Sequence, residues 1–172
     1  MADYAERVHG LTIIRDSLPN LTSVNDSTYQ VVFSLHVLEH APTYIDAADW
    51  CNEMLRVVEP GGFVVVVAPN VIEWKSYFWD TDWSHGYPTT PKRVSQIFDD
   101  LQAQLLCEKT MHFGSLRILP AVFAQMINFI LPARFVDFIT EPLLKRRIGT
   151  GFKLAFTLGL TFVVVRKPDV IV

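Results

Sequence analysis

"YQVVFSLHVLEH", residues 29–40, decides the fold. Residues 29–34 are apolar on both faces, through Val31, Val32 and Phe33, as a central parallel strand requires. The pattern changes at Ser34-Leu35-His36, where a strand end has little structural need of such residues. A helix is predicted over 44–58, with Thr43 and Asp46 at its start, where an acceptor and a negative charge are favoured. Glu59-Pro60-Gly61-Gly62 stops it, and "FVVVVA" (63–68) is a second fully apolar strand. Strand, helix, turn, strand is a βαβ unit, parallel and right-handed by the usual rule.

Working outward, residues 2–9 read as a helix ended by Gly10, and "LTIIR" (11–15) as a short β-branched strand. Pro69-Asn70 opens a long aromatic loop, "PNVIEWKSYFWDTDWSHGYPTTP". Thr89 or Thr90 caps a helix with Pro91 in its first turn, running to about residue 101. "AQLLCEKTMHFG" reads as a strand, 116–146 as an amphipathic helical cap or insertion, and 158–166 as the last strand. The expectation is one α/β domain over 1–172. In an open α/β sheet, ligands sit at the carboxyl ends of the parallel strands. Residues 16–20, 34–40 and 69–87 are predicted to converge there.

Composition narrows the classes. Half of the 172 residues are hydrophobic, enough for a core. The net charge of −3 leaves no basic stripe for phosphates, so no nucleic-acid partner is expected. Cys51 and Cys107 form no metal-binding spacing and read as reduced thiols. The N-terminus, "MADYAERVHG", is no signal peptide, and the chain is expected to be cytoplasmic. The longest uncharged apolar stretch, 118–133, is interrupted by Pro120 and Pro132, so no transmembrane span is expected. In the loop, Asp82-x-x-His85 has two metal-ligand types but no third at usual spacing, so no metal is expected either.

The stretch from "YQVVFSLHVLEH" through "LRVVEPGG" to "FVVVVAPN" resembles the middle of class I S-adenosylmethionine-dependent methyltransferases. "YAERVHGLTIIRDSL" is similar to the helix and strand that precede it, and "WDTDWSHGYPTTPKRVSQIF" to a segment of methyltransferases from sugar and cell-envelope biosynthesis. The resemblance implies a Rossmann-like, mostly parallel sheet with helices on both faces and an antiparallel last strand. It implies S-adenosylmethionine as cofactor, with Asp16 and the Ser17 backbone at the adenine and Ser34, Leu35 and His36 along the cofactor's amino-acid end. His85 with Asp82 is then the acid–base pair, and His36 a further proton acceptor. Asn70, Trp79, Asp80 and His85 face the methyl acceptor, a small molecule, sugar or lipid-linked envelope precursor taking methyl on O or N.

Glu39 is expected to satisfy backbone donors where the turn meets the helix, and His40 to be structural or to line the pocket. The three tryptophans of the loop are expected to pack onto the sheet end. The family's Gly-rich cofactor turn, roughly (D/E)xGxGxG, has no counterpart here, so the chain resembles a truncated methyltransferase lacking its first βαβ. Exposed apolar edges and a homodimer are expected from that. Lys145, Arg146 and Arg147 at the end of 116–147 suggest peripheral contact with anionic lipid at the inner membrane surface. The alternative is a non-catalytic remnant acting as a dimerisation or membrane-surface module. A dehydrogenase is a weaker third reading, since it too needs a Gly-rich turn.

Overall fold

The computed structural model describes residues 2–112, 138, 141–142 and 159–169. The helix expected over 116–146 and its basic end therefore lie outside the described residues, apart from Phe138, Glu141 and Pro142. The elements are α1 (Ala2–His9), β1 (Tyr29–Leu35), a 3-10 turn (Leu38–His40), α2 (Tyr44–Val57), β2 (Val58–Pro69), α3 (Val71–Trp74), α4 (Tyr77–Thr81), α5 (Pro91–Asp100), β3 (Gln104–Met111) and β4 (Leu160–Arg166). Among the described residues no helix is long and apolar enough to cross a membrane.

The sheet order is β1-β2-β4-β3. β1 and β2 are parallel, and β4 runs antiparallel to both β2 and β3. Three strands thus share one direction and the last reverses, as expected. The βαβ unit forms as its local signals dictate. Thr43 accepts from the Asp46 N–H while the Asp46 carboxylate accepts from the Thr43 N–H, a full capping box. At the other end the Glu59-Pro-Gly-Gly turn is drawn into β2 instead of standing outside it. Gly61 takes φ +77°, and its N–H donates to the Lys167 carbonyl beyond β4.

α2 and α5 both pack on one face of the sheet. There Ala47, Cys51, Met54, Val94 and Phe98 meet Val64, Val66, Val163 and Val165, all 4% exposed or less. Burial pushes the Cys51 thiol up to about 12, so it stays protonated in the core. The opposite face carries Val31, Phe33 and Leu35, which register with Phe63, Val65 and Val67 of β2. Among the described strands β1 lies at the edge, and those three residues are 41%, 62% and 57% exposed. A second helical layer over this face is not built by the described residues.

"LTIIR" departs from expectation. Residues 11–15 join no ladder, and Leu11 and Ile14 are exposed. β propensity fits a residue to a pleated, half-buried surface, and no described strand stands beside this segment to supply one. The loop that follows is held from α2. Arg56 donates to the carbonyls of Leu21 and Val24 and to Asp26, and Glu53 accepts from the Leu21 N–H.

Candidate functional site

β1 ends by a sharp change of direction. The His36 N–H still donates to Val67 on β2 at 2.8 Å, but its φ is +53°, uncommon for a residue with a side chain. The chain then drops into the 3-10 turn, which buries Leu38 and Glu39 to 1% exposure each. His36 stays about half exposed, with Nδ1 3.3 Å from Glu39 Oε1. Glu39 therefore differs from expectation. Among the described residues its carboxylate meets no backbone donor; its backbone carbonyl does, accepting from the N–H groups of Gly86 and Tyr87.

Those two bonds bring the long loop across the turn. The loop begins with two short helices, α3 and α4, and is irregular from Asp82 to Thr90. Asn70 caps the first, its side-chain oxygen accepting from Ile72 N–H and its amide donating to Thr110 Oγ1 at 2.9 Å. Trp74 is buried and donates Nε1–H to the Gly159 carbonyl, and Phe78 is fully buried beside it. Gly86 is the point of closest approach: a Cβ there would sit 2.6 Å from the Ala41 carbonyl oxygen. Only glycine lets the loop lie this near, and the result is that the rings of His40 and His85 stand 5.0 Å apart.

The expected acid–base pair is not formed. The Asp82 carboxylate is taken by Ser84, which donates both its N–H (2.9 Å) and its hydroxyl (2.6 Å). These bonds hold the Asp82 carboxyl below the usual carboxylate range. His85 is buried and uses Nδ1 on the Phe78 carbonyl at 2.5 Å. His40 Nδ1 instead lies 2.8 Å from Ser84 Oγ, so the run is Asp82–Ser84–His40. No local spacing signals this, because the partners come from two separate segments.

The remaining expected residues divide. Trp79 and Asp80 are exposed on α4, while Asn70 is buried and spends its side chain on Ile72 and Thr110. Trp83 is 96% exposed, so the three tryptophans do not all pack. On the cofactor side, Leu35 and His36 are open at the strand end while Ser34 is buried toward the helices. Asp16 follows a loop, not a strand, and its carboxylate accepts from the Ser23 N–H at 2.6 Å. That bond closes the 16–23 loop on itself. Ser17 pairs with Asn20 in an isolated bridge. The strand end is thus an exposed apolar floor edged by an imidazole, and Asp16 is engaged within its own loop. Two grooves among the described residues lie elsewhere, one of about 580 Å³ between α2 and α5 and one of about 430 Å³ at the opposite strand ends.

The sequence matches the family model of a methyltransferase domain over residues 1–66, from α1 into β2. No curated protein matches it. A SAM-dependent methyltransferase from Archaeoglobus fulgidus superposes with a TM-score of 0.57 at 15% identity, over 97% of this chain and 73% of that one. The fold is that of the class I methyltransferases. The (4+2)-cyclase SpnF superposes almost as well, with a TM-score of 0.55 at 20% identity, over 97% of this chain and 60% of the cyclase. A cyclase on the methyltransferase fold separates fold from reaction, so the chemistry has to be argued from the site. In an open α/β sheet ligands sit at the carboxyl ends of the parallel strands, and at that end of β1 His36 lies against Glu39, which the loop meets through Gly86 and Tyr87.

Proposed function

We propose that this chain takes part in S-adenosylmethionine-dependent methyl transfer to a small-molecule acceptor, a sugar or lipid-linked envelope precursor methylated on O or N. One observation carries the reading: an accessible imidazole, His36, stands at the carboxyl end of β1 with a buried carboxylate against it. The match over residues 1–66 supports the same reading. When bound, the cofactor supplies a methyl group on a sulfonium, open to in-line attack. The chain supplies position and a proton acceptor. Leu35 offers an apolar floor, and His36 would take the proton from the acceptor's attacking O or N. Glu39 Oε1, 3.3 Å from His36 Nδ1, keeps the ring oriented. Trp79, half exposed on α4, presents a flat face to the acceptor.

The test is calorimetric titration of S-adenosylhomocysteine into the 172-residue chain and into His36→Asn. Micromolar binding by both supports the cofactor site, and loss of turnover in His36→Asn with binding retained supports the base. A folded chain that binds nothing overturns the reading.

A second reading has its own observation. The exposure of Val31, Phe33 and Leu35 on an edge strand suits a non-catalytic module that pairs with a second copy of this chain. A concentration-dependent dimer in light scattering, with no cofactor binding, selects it.

A further inference from the structure

Glu39, His40 and His85 each offer one ligand atom, and the three atoms lie within 4.8 Å of one another. We propose that these three residues bind one divalent transition-metal ion of the zinc class. The expectation from sequence was no metal, because Asp82-x-x-His85 lacked a third ligand at usual spacing. The fold changes the set: Asp82 turns away to Ser84, and Glu39 and His40 arrive from the other segment.

The hydrogen bonds assign the protons. His85 Nδ1 faces a carbonyl, which only accepts, so Nδ1 carries the hydrogen and Nε2 keeps its lone pair. Ser84 spends its hydroxyl hydrogen on Asp82, so it accepts from His40 Nδ1, and the His40 Nε2 keeps its lone pair too. Glu39 Oε1 is engaged by His36. Among the described residues, Glu39 Oε2 is buried with no hydrogen-bond partner. A buried carboxylate oxygen left unpaired is costly, and two neighbouring imidazoles in their neutral form, with Nδ1 already committed, have no hydrogen to give it. A cation bound by all three removes that cost.

The surroundings have the form of a metal site. Each histidine donates its other ring hydrogen to a fixed acceptor: Phe78 O for His85, and Ser84, backed by Asp82, for His40. Such outer contacts fix the tautomer and aim the ring at a metal. Two imidazoles and one carboxylate suit zinc or a neighbouring first-row ion. Calcium and magnesium want more oxygen ligands than one carboxylate provides. Three protein ligands leave the fourth position of a tetrahedral ion for water or a substrate oxygen. This assignment stands on the ligand geometry; it shares Glu39 with the methyl-transfer reading, which uses the other carboxylate oxygen.

The experiment is calorimetric titration of Zn²⁺ into the chelator-stripped full chain, with circular dichroism to confirm folding of each variant. The expected result is one equivalent bound. Removing a ligand in Glu39→Gln or His40→Ala should weaken binding by roughly 100-fold or more, and Ser84→Ala, which keeps all three ligands but frees His40 Nδ1, by about 10-fold. Co²⁺ in place of Zn²⁺ should give the visible absorption of a low-coordinate site, lost in Glu39→Gln. Absence of uptake by the folded chain overturns the proposal. So does uptake unchanged in both Glu39→Gln and His40→Ala, which would place the ion on other residues.

Discussion

On the helix side of the sheet Val64, Val66, Val163 and Val165 are wholly buried, while on the other side Phe33 and Leu35 are more than half exposed. The open face is no less apolar, since β1 turns Val31, Phe33 and Leu35 to it and Gln30, Val32 and Ser34 to the helix side, so composition does not explain the difference. Connectivity does. α2 leaves β1 and returns to β2, and a right-handed crossover must lay it on one particular face. α5 then docks beside it against β3 and β4. The covered face is covered by near neighbours in the chain. The other face needs cover from farther away, or from a partner.

The largest effect expected from this contrast is at Phe98. Its ring is 1% exposed on α5 and closes the core between helix and sheet. Phe98→Ala should cost about 3–5 kcal/mol, the usual range for deleting a buried ring. Urea unfolding followed by circular dichroism measures it. A loss comparable to that of a surface substitution would mean that the helix face is as loosely held as the open one.

An intermediate effect is expected where the helix face reaches past the sheet. Glu53 on α2 is held below its ordinary value of 4.5, chiefly by hydrogen bonding from Arg56 and also by the Leu21 N–H, against a smaller opposing push from burial. A carboxyl depressed by folding stabilises the protein above its unfolded pKa, and that stability is lost as pH falls through the lower folded value. Unfolding midpoints should therefore drop below about pH 4.5 in the parent chain. In Glu53→Gln the drop should be shallower, and stability at pH 7 slightly lower. Identical acid limbs for the two proteins would show that the 21–26 loop is not held by this carboxylate.

How much could be read beforehand follows the same division. The βαβ unit was legible because its signals are local: Thr43 with Asp46, the Pro-Gly-Gly stop, two valine-rich strands. Thr90 and Pro91 likewise announced α5, where Thr90 accepts from the Arg93 N–H. "LTIIR" misled because a strand exists only beside another strand, and propensity carries no information about neighbours. The same holds at the site. Asp82 and His85, three residues apart, invited a pairing that Ser84 intercepts. The contact that matters, His40 to His85, depends on Gly86 lying against Ala41, and a glycine's reason for being glycine shows only when its neighbour through space is known. Arg56, which ties three carbonyl or carboxylate groups of the 21–26 loop to α2, gave no sign in sequence beyond being basic near a helix end.

The smallest effect should come from the exposed face, and it is the most informative about it. Phe33 is 62% exposed, so Phe33→Ser removes little buried area and little packing from a single chain. If nothing covers the face, the change should alter unfolding free energy by about 0.5 kcal/mol or less, as surface substitutions do. It should also leave the unfolding midpoint independent of protein concentration. A second copy seated on β1 would behave otherwise. Association adds stability that grows with concentration, so the parent midpoint would rise on concentrating the protein and the Phe33→Ser midpoint would not. The expected outcome for the chain alone is the flat one. A concentration-dependent difference between the two proteins would turn the open face from an unsatisfied half of the sheet into half of an interface.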